Sequence, residues 1–412
     1  MSKKITIITA NFYPEDTAIG LYTTQFANYL KSNGFEITVL TGFPYYPKWE
    51  INSDYKDKKA FYTETYNGIK IIRFKQYVPK KVTFLGRILM ILSFNFGLFI
   101  NLFKLKKTDL IISIVPFTSN CFLGKFYSFF NKTKFWIHLQ DFEFDLLIDA
   151  GIGTKSSFFK NLFFKFLLKT ESILLNSADI VSTISNSMIR KVYEKSNPKE
   201  VFYFPNWVSI DNINPSTSQP HPYFDSDKYN LLYSGNIGEK QDWDFFIEFC
   251  KLIKPEDSIA ITIVGNGGYY NTLRERASIF EFVKFKDVVP YSDLSNLLCT
   301  ADCHFLFQKN DVVDSVMPSK LLGMMASAKP SIITGNENSE VNNILNNSNG
   351  GFYIASNEVK EVYEKIISLK NNTEKSLNMG KEAREFVKNS FSDKAVLDSF
   401  LVKINDVLHE ER

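Results

Sequence analysis

Residues 230–246 read NLLYSGNIGEKQDWDFF. The apolar run over 230–235 predicts a buried strand that stops at Gly235. A turn carrying Asn236 and Gly238 follows, and Lys240 precedes a helical pattern over 241–253. Glycines free the backbone N–H groups at such a strand–turn–helix junction, and a lysine adds a point charge, a pairing that suits a diphosphate. A bare loop with a solvated lysine stays open as the plainer reading.

Outward from this unit the same alternation repeats. Downstream, SIAITIVG (258–265), EFVKFKD (281–287), ADCHFLF (301–307) and PSIITG (330–335) read as strands, with helices over 268–278, 292–300 and 319–328. From 357 the chain is helical and polar. Upstream, KITIITA (4–10), EITVLTG (36–42), IKIIRF (69–74), DLIISIV (109–115), KFWIHLQ (134–140) and ADIVSTI (178–184) are strand candidates, with a helix over 20–32. Strands alternating with helices predict parallel sheets covered on both faces. The stretch 206–229, rich in Asn, Ser, Pro and Asp, has linker composition. The expected plan is α/β: a Rossmann-like domain over 1–205, a linker over 206–229 and a second Rossmann-like domain over 230–390. A terminal helix over 391–412 is expected to pack back on the first domain. In such sheets ligands bind at the carboxyl ends of the strands.

Composition narrows the function. With 412 residues, 23% charged and a net charge of +3, the chain has the make-up of a globular protein. No Lys/Arg-rich run with interleaved aromatics points to nucleic acid. Cys121, Cys250, Cys299 and Cys303 form neither a disulfide framework nor a CxxC pair. The opening MSKKITIITANFYP has too short an apolar run for a signal peptide, so a cytoplasmic protein is expected.

Three further junctions carry chemistry. In TANFYPEDTAIGLYTTQFANYL, Gly20 stands where a strand enters a helix and could let backbone N–H groups meet a phosphate, or be a plain turn glycine. VGNGGYYNTL (264–273) places Gly267 at another strand–helix turn. Tyr270 stands where the third glycine of GxGxxG would be, which disfavours a dinucleotide site. In VMPSKLLGMMASAKPSII (316–333), Pro318 presets a helix entry, Ser319 can cap it and Lys320 starts it. Asp141 ends the strand KFWIHLQ, placed either to orient or deprotonate a hydroxyl or to cap a helix. Glu143 is a weaker candidate, and His138, inside the strand, reads as core.

These pieces, together with TGFPYYP (41–47), LQDFEFD (139–145) and FPNWV (204–208), span nearly the whole chain. They resemble the retaining glycosyltransferases of family 4, of the bacterial colanic-acid and O-antigen type that includes N-acetyl-L-fucosaminyl and fucosyl transferases. The resemblance implies a GT-B fold, two Rossmann-like domains facing across a cleft, and no metal or other cofactor. It implies that Lys240 and the turn Gly235–Asn236–Gly238 hold the donor diphosphate, with Gly20 approaching from the other domain. It places Val289 at the base, Ser319 and Lys320 beside the phosphates and sugar, and Asp141 toward the acceptor. Two departures stand out. The paired glutamates many members carry fall here at Ser315, beside Asp314, and at Gly323, and the usual arginine of the diphosphate loop is Asn236.

The same resemblance implies a UDP-sugar donor, with UDP-N-acetyl-L-fucosamine as the sub-type guess, and an undecaprenyl-diphosphate-linked acceptor at the inner face of a bacterial plasma membrane. Two stretches bear on a membrane surface. Between Arg87 and Lys104 the run ILMILSFNFGLFINLF has no charge but is short of the roughly 20 residues a span needs. It is either a buried helix or a surface helix meeting lipid. In SSFFKNLFFKFLLKTESILL (156–175), Phe159, Leu162, Phe163, Phe166 and Ile173 form one stripe expected to face the core. Phe164 and Leu168 are expected to point away among Lys160, Lys165 and Lys169, toward a headgroup layer. A nucleotide-sugar 2-epimerase, or an inactive scaffold subunit, are the competing classes.

Overall fold

A computed structural model of the chain describes residues 2–16, 18–81, 83–147, 158–310 and 319–409. The chain forms two compact units, Met1–Phe204 with Leu397–Arg412, and Pro205–Val396.

In the first unit the elements run β1 (Lys4–Ile8), α1 (Ala18–Ser32), β2 (Glu36–Gly42), β3 (Phe61–Tyr66), β4 (Ile69–Phe74), α2 (Phe84–Leu102), β5 (Leu110–Val115) and α3 (Ser119–Asn131). They continue with β6 (Lys134–Leu139), α4 (Glu143–Leu147), α5 (Phe158–Ser177), β7 (Ile180–Thr183), α6 (Asn186–Lys195) and β8 (Val201–Tyr203). The strand order is β3-β4-β2-β1-β5-β6-β7-β8, parallel except for the β3–β4 hairpin. The central strands are wholly buried runs such as LIISIV in β5, as a sheet covered on both faces requires. The order reverses direction between β1 and β5, so loops leaving these neighbours diverge and open a crevice there.

The helices of the rightward crossovers, α2, α3, α5 and α6, are successive neighbours in one layer, as right-handed connections demand. Helix α2 lies tight on the sheet: a Cβ on Gly97 would be 1.9 Å from the Phe74 ring, and Asn101 donates to the Arg73 carbonyl at 3.2 Å. It is 19 residues long with a mean hydropathy of 1.6, long and apolar enough by that measure to cross a membrane, yet Met90, Phe94, Leu98 and Leu102 are buried against the domain.

Helix α5 is turned the other way from the expected one. Leu162, Phe166 and Ile173 are exposed, while Phe164 and Leu168 are half-buried and Leu174 and Leu175 fully buried. Glu171 sets this rotation. It is buried and bound to Lys195 at 2.7 Å, and Lys195 also holds Asp145. That carboxylate faces inward, so the stripe on the opposite side faces water. The side chains of Phe159 and Phe163 lie outside the described residues.

In the second unit the elements are β9 (Tyr229–Ser234), α7 (Trp243–Leu252), β10 (Ile259–Val264), α8 (Tyr270–Ala277), β11 (Val283–Lys286), α9 (Leu294–Thr300) and β12 (Cys303–Phe307). Then come α10 (Ser319–Ala326), β13 (Ser331–Gly335), α11 (Glu340–Ser348), β14 (Gly351–Ala355), α12 (Val359–Asn371), α13 (Thr373–Ser390) and α14 (Asp393–His409). The sheet is parallel throughout, in the order β11-β10-β9-β12-β13-β14. The stretch 206–229 packs on this unit: the Asn214 and His221 amides donate to Ser295 Oγ (3.0 Å) and Thr300 Oγ1 (2.9 Å). Helix α14 leaves this unit, and from Leu397 it belongs to the first. There Phe400 packs on Phe26, Trp136 and Phe204 with ring centroids 4.0–4.7 Å apart.

Candidate active site

In the second unit the sheet reverses direction between β9 and β12, so the loops after these two strands flank its crevice. The β9 loop carries Gly235, Asn236, Gly238 and Lys240. Three contacts stitch it to the end of β12: the Asp242 amide to the Phe307 carbonyl (2.9 Å), the Lys309 amide to the Lys240 carbonyl (3.2 Å), and a bridge between Gln241 and Gln308. The β10 loop closes in from the other side. A Cβ on Gly265 would fall 1.9 Å from the Gly235 carbonyl oxygen, and one on Gly267 would fall 2.3 Å from that of Ile237. Glycine at these positions is a matter of space.

Lys320 reaches into the same crevice from the first turn of α10. Its Nζ donates to Tyr233 Oη at 2.9 Å and to the Asn236 carbonyl at 3.3 Å, and lies 4.8 Å from the centre of the Tyr233 ring. Tyr233 Oη itself donates to the Asn236 carbonyl at 2.5 Å. Gly235, at φ +146°, leaves room for this lysine, since a Cβ would sit 2.2 Å from Lys320 Cε. Burial brings the Lys320 ammonium down from its ordinary 10.5 to about 8. A half-buried cation with no carboxylate on it among the described residues, beside turns rich in backbone N–H groups, is prepared for an anion.

Lys240 stands differently. It is exposed, and among the described residues its ammonium has no ion-pair partner. Val289 is half-buried just past β11, at the sheet edge next to β10. Ser319 opens α10, and its side chain lies outside the described residues, as do Asp314 and Ser315.

The comparisons with known proteins bear directly on this arrangement. The family model described as "Glycosyl transferases group 1" matches residues 217–386, the stretch containing all of these turns. The Escherichia coli K12 protein WcaI, a glycosyl transferase by name and assigned to colanic acid biosynthesis, is 30% identical over 98% of this chain and 99% of its own length. The chain belongs to the group 1 glycosyltransferases. Two solved structures share the glycosyltransferase's fold, each at 12% identity. Sucrose-phosphate synthase from Thermosynechococcus elongatus has a TM-score of 0.75 over 98% of this chain and 99% of its own. The Anabaena protein Alr3699/HepE, solved in complex with UDP and glucose, has a TM-score of 0.68 over 98% and 100%. The two-domain α/β architecture is thus that of GT-B enzymes.

In the glycosyltransferase's first unit, the expected residues gather at the carboxyl ends of the strands. Asp141 follows β6 and accepts from the Phe142 amide at 2.9 Å. Glu143 is half-buried and accepts from the Thr118 amide at 2.6 Å, which latches the β6 loop to the β5 loop. Burial raises its carboxyl above the ordinary range, and the Asp141 charge adds to the effect. His138 is buried beside Ser182 Oγ (2.9 Å) and Gln140 (2.9 Å), and burial lowers its imidazole to about 3, so it is neutral core. Gly20 is in the first turn of α1, where a Cβ would meet the Glu15 carbonyl oxygen at 2.7 Å. Its glycine answers to that contact.

Two residues escaped the sequence reading. Glu15 is buried and accepts from the Tyr45 and Tyr46 amides (2.8 and 2.7 Å) through Oε1. Through Oε2 it accepts from Asn11 Nδ2 (2.9 Å) and the Phe12 amide (3.2 Å). It joins the loops after β1 and β2, and burial raises its pKa despite these bonds. Tyr233 had no signal at all, being one aromatic inside an apolar strand.

Proposed function

We propose that this glycosyltransferase transfers a sugar from a UDP-sugar to a saccharide carried on undecaprenyl diphosphate, in the synthesis of a bacterial surface polysaccharide such as O-antigen or capsule. The observation that carries the donor reading is Lys320, half-buried against Gly235 and Tyr233 at the β9/β12 crevice with its ammonium lowered by that burial. A nucleoside diphosphate is the anion that suits a lysine framed by glycine turns. The UDP in the HepE complex and the colanic acid assignment of WcaI support the nucleotide and the pathway type. The sugar is proposed as N-acetyl-L-fucosamine, with GDP-fucose as the competing donor.

As the bond to the anomeric carbon breaks, negative charge collects on the leaving diphosphate. Lys320 and Lys240, with the Gly235–Gly238 turn, neutralise it without a metal ion. Gly267, Val289 and Ser319 contribute to holding the donor, and Gly20 to the phosphate side. On the acceptor, Asp141 orients the attacking hydroxyl and takes its proton. The anomeric configuration is retained. The enzyme works at the inner face of the plasma membrane, where its lipid-borne acceptor is.

Thermal shift against UDP, GDP and their sugars tests this reading, since a ligand that binds only the folded state raises the melting temperature. UDP and one UDP-sugar are expected to stabilise the protein. Lys240→Ala, an exposed change, is expected to leave the unliganded stability within about 0.5 kcal/mol of wild type and to slow transfer by orders of magnitude. Wild-type turnover in that variant, or no response to any nucleotide, refutes the assignment.

A further inference from the structure

The outer surface of the α2–α3–α5 layer is apolar where a domain surface is normally polar. Among the described residues, 23 large hydrophobic side chains are exposed, and 14 of them belong to this one layer: seven on α2 and its C-cap, four on α3 and three on α5. Five of them are in direct ring contact. Phe103, Phe99, Phe126, Phe130 and Phe129 form a ladder of rings from α2 to α3 with successive centroids 4.8–5.4 Å apart. Phe103 and Phe129 at its two ends are each 72% exposed. Leu92 and Phe96 prolong it toward the start of α2 at 62% and 65%. A monomer in water seldom carries a patch of this kind unless something covers it.

The charge around the patch identifies the cover. Residues 80–134 hold nine lysines and arginines and one acid, Asp109. That acid is engaged at the sheet, where it accepts from the Lys4 amide at 2.7 Å. Lys104, Lys106 and Lys107 follow directly on α2, and Lys132 caps α3, so basic residues stand at the end of the ring ladder on both helices. The two helices are neighbours, joined by Asn95 Nδ2 donating to Ser119 Oγ at 2.8 Å. Rings at the level of the headgroups with lysines reaching anionic phosphates describe the contact a peripheral protein makes with a bilayer. A symmetric contact with a second copy would lay this same face on itself and press its basic fringes together without an acid between them.

We infer that the glycosyltransferase docks on an anionic lipid surface through the outer faces of α2 and α3, with α2 lying in the membrane plane instead of crossing it. The use of this contact rests on the lipid-borne acceptor proposed above; the apolar face and its basic rim do not.

Sedimentation with vesicles tests the inference on the full chain, without donor or acceptor. Wild type is expected to pellet with phosphatidylcholine vesicles containing phosphatidylglycerol, and to release at high salt. Phe103→Gln with Phe129→Gln should lower the partition at least about tenfold. The triple change Lys104→Gln, Lys106→Gln and Lys107→Gln should lower it on the order of a hundredfold, at about fivefold per lysine, on anionic vesicles only. Both variants should keep the wild-type melting temperature and its response to UDP, which shows that they fold. The inference is overturned if wild type stays in the supernatant, or if either variant pellets like wild type. A particle of twice the chain mass that the Phe103/Phe129 change makes monomeric also overturns it, because the occupant is then a second copy. Pelleting without any nucleotide response would sink the proposed function and leave the docking face standing.

Discussion

Replacing Lys320 by methionine separates the cost of the site from its use. The Lys320 ammonium loses its proton at about 8 in the folded protein, against 10.5 ordinarily. At 1.36 kcal/mol per pH unit, holding it charged in place costs about 3 kcal/mol. Methionine keeps the apolar stem and removes that cost. It also gives up the bonds to Tyr233 and Asn236, worth about 1 kcal/mol, while Tyr233 Oη keeps its acceptor on Asn236. The net gain is about 2 kcal/mol, or about 4–8 °C in melting temperature for a domain of this size. The pH dependence has a definite sign. Between pH 8 and 10.5 the unfolded chain holds a proton that the folded one has released, so wild-type stability rises with pH across that window. Below pH 8 both states are protonated and the full cost applies. A diphosphate favours the charged form, so UDP affinity should fall up to about tenfold per pH unit above 8. Differential scanning calorimetry of both proteins from pH 7 to 10, with and without UDP, reads all of these. If Lys320→Met melts below wild type at pH 7, or its UDP stabilisation matches wild type, burial of this charge is not what prepares the site.

Two further changes probe the supports. Gly235→Ala adds a Cβ 2.2 Å from Lys320 Cε at a φ of +146°. The flexible lysine is displaced, so a stability loss of about 1–2 kcal/mol should accompany loss of the UDP response, and a wild-type response in thermal shift would contradict the packing argument. Glu15→Gln leaves one acceptor oxygen for four donors and turns an amide N–H₂ toward the others. Unfolding by urea should show a loss of about 2–3 kcal/mol; a midpoint equal to wild type would mean that the two loops are held by other contacts.

Much of the fold was written locally. The runs expected over 230–235, 258–265 and 301–307 are β9, β10 and β12 to within two residues at each end, because a strand buried on both faces needs an unbroken apolar run. The strands that went unrecognised are of another kind. FYTETY (β3) alternates between exposed and half-buried positions, as an edge strand does. Its hairpin turn at Asn67 and Gly68, both with positive φ, is an Asn-Gly signal that was present in the sequence. GFYIA (β14) is a short, half-buried edge strand. At the site, the glycines and Lys240 were legible as a junction type, whereas Glu15 was one acid in a polar loop until the chain brought four donors to it.

By itself the sequence determined that there are two α/β halves and that the second carries glycine turns and lysines at strand ends, since strand length, helix period and turn chemistry act over a few neighbouring residues. It also contained the apolar stripes of α2, α3 and α5, but not which side of each would be covered. A stripe and its opposite face have the same period. The choice is made by partners distant in sequence: Phe74 under Gly97 in α2, and Lys195 for Glu171 in α5. In the same way only the strand order, which sets β9 beside β12, brings Lys320 over Gly235 across 85 positions of chain and makes a half-buried charge of what was, in the sequence, one lysine at the start of a helix.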